Sequence, residues 1–439
     1  MSVLAAGVVN SSYTSGVIGS VTNSGVKSAG ALPQLNGVNF SGDPRVLNFA
    51  YNGTEYAMVL SYTYVFGQPG TATIGFYIPT VPKATPPQDA WTLVGSSGGK
   101  TYSSSFLKFS NPYSLVVVSS DLYVADYDSG KIIKVSLANL ATEILAADVT
   151  EYYSLPSASV PSPYVAKCNG MDYVDGRLVM LFNLPNPSDY TDYHNSYVVM
   201  KQISTGTVTG PVTLNKNAVS VAADKGPAPT NYFYAYVCSI GGAQQAGGNG
   251  AASKLQVVRF SSPITVNDIL ATATPTGEGD FVDVAILGTD AYILAANYNS
   301  SYTSYNYQVI KTPLNSLRAA SLASSTSIDD TAPAGATWML APSGDSGDPL
   351  WFVSGNEANT LSAALAVSLK ATPADLGIVR GSDNINVNLN TAAVVIAGTT
   401  MAARAAAVSA ARTKLAVRLS LPQEIEEQAK AQAAATKQK

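Results

Sequence analysis

The sequence predicts an all-β chain, a β-propeller of six to seven blades with a short helical C-terminal extension. Three observations carry that expectation. A short strand rich in aromatic and β-branched residues recurs with anchors at Tyr56, Tyr123, Leu178, Tyr234, Tyr292 and Trp351, spaced 55 to 67 residues apart. Tight-turn residues precede nearly all of these strands. The 439-residue chain is 46% hydrophobic but only 12% charged, so a large core must be covered by Ser, Thr, Asn, Gly and Tyr rather than by ions.

The elements follow in order. Residues 1–43 contain strand-like pieces at 16–21 and 38–40, expected to supply ring-closing strands. Residues 44–399 form the propeller proper. Within each repeat a first strand, such as 46–51, 113–118, 171–174 or 282–287, runs into a turn. Those turns read Asn52-Gly53, Ser119-Ser120-Asp121, Asp175-Gly176 and Gly288-Thr289-Asp290. Asn-Gly and Asp-Gly favour the positive φ angles that two-residue hairpins demand. The fourth repeat departs from the pattern, with Pro227 and Pro229 where a clean turn is expected.

The anchor strand comes next, then a loop, then a third strand at 71–78, 131–137, 197–203, 254–260, 307–311 and 361–369. Three of these third strands carry a cation at a matching place, Lys134, Arg259 and Lys311. A weaker fourth strand completes a unit of the propeller type. One such sheet cannot bury both of its faces, so the units must stack. Segments 385–389 and 392–397 read as two further strands. Residues 400–439 change character: 401–413 are Ala-rich with helix-forming composition, 415–419 alternate like a strand, and 423–439 are polar. Seven Lys or Arg against three Glu make this tail basic in a chain of net charge −4.

Composition also excludes function classes. Clustered Lys and Arg, which phosphate contacts require, are missing from this acidic chain, so no nucleic acid is expected as a partner. No apolar run approaches the ~20 residues of a membrane-spanning helix. Two cysteines, Cys168 and Cys238, exclude a disulfide scaffold and a four-thiolate zinc site, and leave room for one bridge. The first seven residues lack the basic and apolar regions of an intact secretory signal. Low charge with abundant Ser, Thr, Asn and Tyr points to an extracellular, periplasmic or cell-surface bacterial protein.

The second repeat, Asn111-Pro112-Tyr113 through Leu122-Tyr123-Val124-Ala125-Asp126 to Lys131-Ile132-Ile133-Lys134-Val135, resembles blades of the NHL and SMP-30-like propeller families. The resemblance covers that blade well and the others by strand pattern. It implies a fold shared by lactonases, lyases, scaffolds and ligand-binding modules, and does not choose among them.

Chemistry-bearing constellations are sparse. The single histidine, His194, lies in a polar stretch with Asp189 and Asp192, but no Gly-x-Ser-x-Gly elbow accompanies it and the spacing matches no metal pattern. Asp126-x-Asp128-x-Gly130 is half of a calcium loop and reads more simply as a turn. No catalytic residue, metal ligand or cofactor is assigned. Loops joining second and third strands should emerge on one face, and there the expected binding residues are Tyr64, Tyr127, Tyr190, Tyr193, His194, Tyr298, Tyr302 and Tyr305, with Tyr62 and Phe66 nearby. Tyr offers an apolar ring and a hydroxyl, as binding surfaces favour.

The expectation is therefore a non-catalytic module recognising a glycan or protein through Tyr- and Asn-rich loops. The alternatives are an SMP-30-like lactone or ester hydrolase carrying a divalent metal in the axial channel, or a structural surface-layer subunit.

Overall fold

In the computed structural model the described residues are the strands within 2–28, residues 43–81 (less 66–67), 90–93, 100–241 (less 104, 110 and 231), 252–270, 280–298, 305–332, 336–340, and the strands at 350–354, 363–367, 374–377, 388–395 and 417–418. Among them the protein is β-sheet throughout, apart from two 3-10 turns and the α-helix Leu314–Arg318. The strands form seven sheets. Six contain four strands consecutive in sequence, each antiparallel to the last, the strand order of propeller blades.

The first sheet orders Asn388–Val395, Ser2–Val8, Gly16–Thr22 and Lys27–Ser28, so an early and a late part of the chain meet in it. The second contains Asp43–Tyr51, Thr54–Val65, Gln68–Val81 and Ala90–Leu93, with Thr101–Ser103 pairing the third strand. The third contains Pro112–Val118, Asp121–Asp126, Lys131–Ser136 and Val149–Ser154, and Val417–Arg418 adds to its free side. The fourth contains Lys167–Val174, Arg177–Asn186, Asp189–Gln202 and Val208–Lys216. The fifth contains Ala218–Lys225, Phe233–Ser239, Lys254–Phe260 and Thr265–Leu270. The sixth contains Asp280–Leu287, Asp290–Tyr298, Tyr305–Pro313 and Thr326–Ala332. The seventh contains Ala336–Leu340, Leu350–Ser354, Ala363–Val367 and Ala374–Gly377.

By compactness the chain divides into two units. One comprises 1–128, 132–152 and 340–420; the other comprises 129–131, 153–339 and 421–439. In the first, the second and third sheets share a core in which Phe49, Met58, Leu60 and Phe76 meet Leu115, Leu122, Val124 and Ile133. In the second unit the fifth sheet shows most plainly why stacking is needed. Its Tyr236, Cys238, Leu255 and Val257 pack with Phe281, Ile293 and Ile310 of the sixth sheet. Its alternate residues Ala235, Val237, Val258 and Phe260 pack with Val179, Leu181, Val198 and Met200 of the fourth. Successive side chains point to opposite faces of a strand, so a strand buried on both faces reads as a continuous apolar run.

The turns behave as their residues dictate. Asn52-Gly53 (φ 48° and 73°) and Asp175-Gly176 (φ 44° and 77°) occupy the left-handed region, which two-residue hairpins require. The fourth repeat has a regular first strand after all, Ala218–Lys225. It reaches its partner through a longer loop closed where the Gly226 N–H donates to the Tyr232 carbonyl at 2.7 Å.

The three repeated cations face the start of the second strand. Lys134 pairs with Asp121 at 3.4 Å and Lys311 with Asp290 at 3.1 Å, while Arg259 lies over the Tyr232 ring at 5.1 Å. Cys168 and Cys238 are buried thiols that pack as small apolar side chains. Leu314–Arg318, following the sixth sheet's third strand, is the α-helix of the described residues. The Ala-rich stretch expected to form a C-terminal helix lies outside them.

Candidate functional site

Within the second unit, hydrogen bonds between sheets set the alignment of their first strands. The Asn169 Nδ2 donates to the Ala218 carbonyl at 2.7 Å and the Ala223 N–H donates to Asp172 Oδ2 at 2.6 Å. These contacts advance together along both strands, so the fourth and fifth sheets run in the same direction. Ser220 Oγ bonding Asp283 Oδ1, together with the Phe281 N–H donating at 2.9 Å to Ser253 Oγ at the start of the fifth sheet's third strand, extends this to the sixth. The starts of first strands and the loops between second and third strands therefore share one end of these three sheets.

At that end the fourth sheet extends as a long hairpin. Asn186 pairs with Asp189 across Pro187-Ser188, Pro185 with Tyr193 and Leu184 with His194. Here the Tyr164 hydroxyl donates to Asp192 Oδ2 at 2.9 Å, and Asn186 Nδ2 donates to the same oxygen at 3.2 Å. The Tyr164 and His194 rings lie 5.2 Å apart, tilted by 49°. Hydrogen bonding to Asp192 also raises the Tyr164 hydroxyl pKa, holding it as a neutral donor. Asp192 thus holds the Tyr164 ring, and the His194 ring lies beside it.

Further along the same end sit buried amides. Asn169, on the first strand of the fourth sheet, has no partner for Oδ1, and Asn217, between the fourth and fifth sheets, has none for its Oδ1; His194 Nδ1 is likewise buried without a partner. Asp280 opens the sixth sheet, and burial pushes its carboxyl up to about 7.

The expected binding residues fall in three groups. Tyr190, Tyr193 and His194 lie on the strand Asp189–Gln202, where a polar loop had been expected. Tyr298 and Tyr305 pair directly at the end of the sixth sheet's hairpin, and Tyr64 lies on Thr54–Val65. Tyr302 lies outside the described residues. Two assignments need correction. Tyr193 is 1% exposed because strand pairing opposite Pro185 turns its ring inward. Tyr127, in the other unit, is 7% exposed, with its ring stacked on Tyr113 at 4.3 Å and its N–H donating to the Asn111 carbonyl. Neither offers an exposed contact face.

Tyr164, Asn169, Asn186, Asn217 and Asp280 were missed. They lie in connections between sheets, at the ends of strands or at first-strand starts, and the strand pattern alone gives them no common signal. Among the described residues no group of three His, Cys, Asp or Glu side chains is arranged to hold a metal.

No family model matches the chain, and no curated protein does. Solved structures are similar at low identity. An ulvan lyase of polysaccharide lyase family 25, bound to a glucuronic acid–sulfated rhamnose saccharide, shares 8% identity over 86% of this chain and 93% of its own, with a TM-score of 0.49. Apo AztD from Citrobacter koseri shares 11% over 85% and 97%, with a TM-score of 0.36. YjhT shares 9% over 76% and 97%, with a TM-score of 0.41. This chain's own strand order, not those likenesses, identifies its sheets as propeller blades. The NHL or SMP-30 likeness rests on the single blade that suggested it. Among the described residues no helix is long and apolar enough to cross a membrane.

Proposed function

We propose that the protein is a secreted or surface-exposed, non-catalytic binding module whose second unit recognises a glycan at the shared end of its fourth to sixth sheets. The observation that supports this is the meeting of the Tyr164 and His194 rings with the Asp192 carboxyl and the Asn186 amide at the end of the long hairpin. Polar acceptors beside aromatic faces suit a ligand that is apolar on its ring faces and hydroxylated at its edges. His194 Nδ1 lacks the carboxylate partner that would orient it as a general base, which favours binding over a Ser-His-Asp relay.

The test is binding to a glycan array by the full chain and by Tyr164→Ala. Saturable binding that weakens at least tenfold in the variant, with unchanged thermal stability, supports the reading. A wild-type protein that binds no glycan overturns it, and retention of a protein partner in the same assay would direct attention to that class.

One observation favours a second reading. A carboxyl held near neutral pH, as at Asp280, is suited to proton transfer, which fits a lactone or ester hydrolase assisted by a divalent metal. Calcium- or zinc-dependent turnover of a small lactone, lost in Asp280→Asn, would establish it.

A further inference from the structure

The third sheet, like the first, is met by a late piece of the chain. Its first strand, Pro112–Val118, pairs along its length with Asp121–Asp126 on one side. On the other side lies Val417–Arg418, antiparallel, with Val417 opposite Leu115 and Arg418 opposite Ser114. A strand at the side of a sheet offers its backbone N–H and C=O groups to any extended segment. Here Tyr113, Ser114, Leu115 and Val116 are at most 2% exposed, so the backbone along this side needs a partner strand rather than bulk water. Among the described residues the late segment supplies one at two positions of the seven. Two adjacent antiparallel pairs exchange a single set of close hydrogen bonds, so the edge is capped lightly.

Charge adds direction. Residues 111–154, which build the third sheet, carry six Asp or Glu against two Lys. Residues 411–420 carry Arg412, Lys414 and Arg418 with no acidic residue, and Leu415, Val417 and Leu419 recur at every second place. A basic segment with alternating apolar residues therefore pairs with an acidic sheet, while the like charge of two such sheets opposes edge-to-edge pairing between copies. The 21 residues from 396 to 416 span up to about 70 Å when extended. The segment can thus leave Pro112–Val118 while Asn388–Val395 stays in the first sheet.

We propose that the free edge of Pro112–Val118 is a docking site for a basic, alternately apolar strand of a partner protein, and that residues 411–420 occupy it in cis as a built-in competitor. In strand addition of this kind main-chain hydrogen bonds supply affinity and alternate side chains supply specificity. A partner strand that pairs with more than two residues displaces the tail. The site is independent of the glycan reading, which concerns the other unit.

The chain's own segment is the probe. A fluorescent peptide of residues 411–420 is titrated into the full chain and into two full-length variants. One combines Val417→Pro with Arg418→Pro, which removes both ladder N–H groups. The other combines Arg412→Glu, Lys414→Glu and Arg418→Glu, which reverses the charge and leaves the backbone able to pair. Melting temperatures are recorded, and hydrogen exchange locates the bound peptide; should the proline variant melt early, the charge variant carries the test. Each variant should bind the peptide at least about tenfold more tightly than the wild type, as expected of a site that the tail fills for about nine-tenths of the time or more. Exchange at 113–117 should slow on binding, and a peptide with its three cations replaced by Glu should bind at least about tenfold more weakly. Equal affinity of wild type and variants would show that the tail does not compete, and would overturn the proposal. Absence of binding by all three proteins, protection away from 113–117, or equal binding of the acidic peptide would overturn it too. Variants that self-associate instead of binding the peptide would assign the edge to a second copy and overturn the partner-protein assignment.

Discussion

Asp280 shows how position alone alters a side chain's chemistry. An exposed carboxyl titrates near 3.8, whereas burial pushes this one up to about 7, because the charged form loses solvation. The folded state then binds more protons than the unfolded state between those values. The sign follows: Asp280's contribution is intact below about 4 and is lost as pH rises through 7. Asp280→Asn should therefore flatten the melting temperature between pH 4 and 7, as read by scanning fluorimetry; an unchanged slope would show that the carboxyl is ionised in the fold. Gly130 offers a second test at this scale. A Cβ there would lie 2.2 Å from the Ala166 carbonyl oxygen at φ +65°, while at Gly176, φ +77°, a Cβ would meet nothing within 4 Å. Both substitutions incur the left-handed penalty of about 1–2 kcal/mol. Gly130→Ala adds a backbone collision, so its chemical denaturation midpoint should fall clearly below that of Gly176→Ala.

The short helix Leu314–Arg318 is held to the fifth sheet by its last residue. Arg318 pairs with Asp224, lies over the Tyr234 ring at 5.3 Å and donates to Asn315 Oδ1 at 2.7 Å. The Tyr236 hydroxyl donates to the other Asp224 oxygen at 2.9 Å. Desolvation raises the Asp224 carboxyl despite the opposing pull of Arg318, which marks an ion pair taken out of water. Removing one partner strands the other, at about 3–5 kcal/mol, whereas removing both avoids an isolated buried charge. Urea unfolding should show Arg318→Ala and Asp224→Ala each strongly destabilising and the double variant much less so than their sum; additive losses would refute the coupling. Nothing in the strand periodicity announces this helix, because five residues fall below the length at which a helical pattern can be read. The repeated Lys134, Arg259 and Lys311 were legible because repetition itself exposed them. Their partners at the start of the second strand became evident only through register, as where Tyr292 faces Lys311 and Tyr234 faces Arg259.

At the scale of the molecule, the repeat made the blades legible, since a four-stranded sheet buried on both faces leaves a continuous apolar run at a fixed period. The candidate site was legible only in part. His194 and the 189–194 stretch were found by composition, but Asn169 reaches the Ala218 carbonyl of the next sheet through a contact that no single repeat contains. Tyr193 misled because a polar segment can still pair as a strand and turn one ring inward. The first sheet depends on the same long-range logic. Ser2–Val8 pairs Gly16–Thr22 on one side and Asn388–Val395 on the other, with Ser2 opposite Val395 and Val8 opposite Asn388. Cutting the chain after residue 387 strips that partner and leaves the Ser2–Val8 backbone as an open edge, a template for pairing with another molecule. The truncated protein should lose cooperativity in urea and self-associate with rising concentration, whereas cutting after residue 400, which spares the strand, should not. Light scattering on the two truncations decides the matter: a monodisperse 1–387 protein, as stable as the 1–400 form, would mean that the late strand is dispensable to the first sheet.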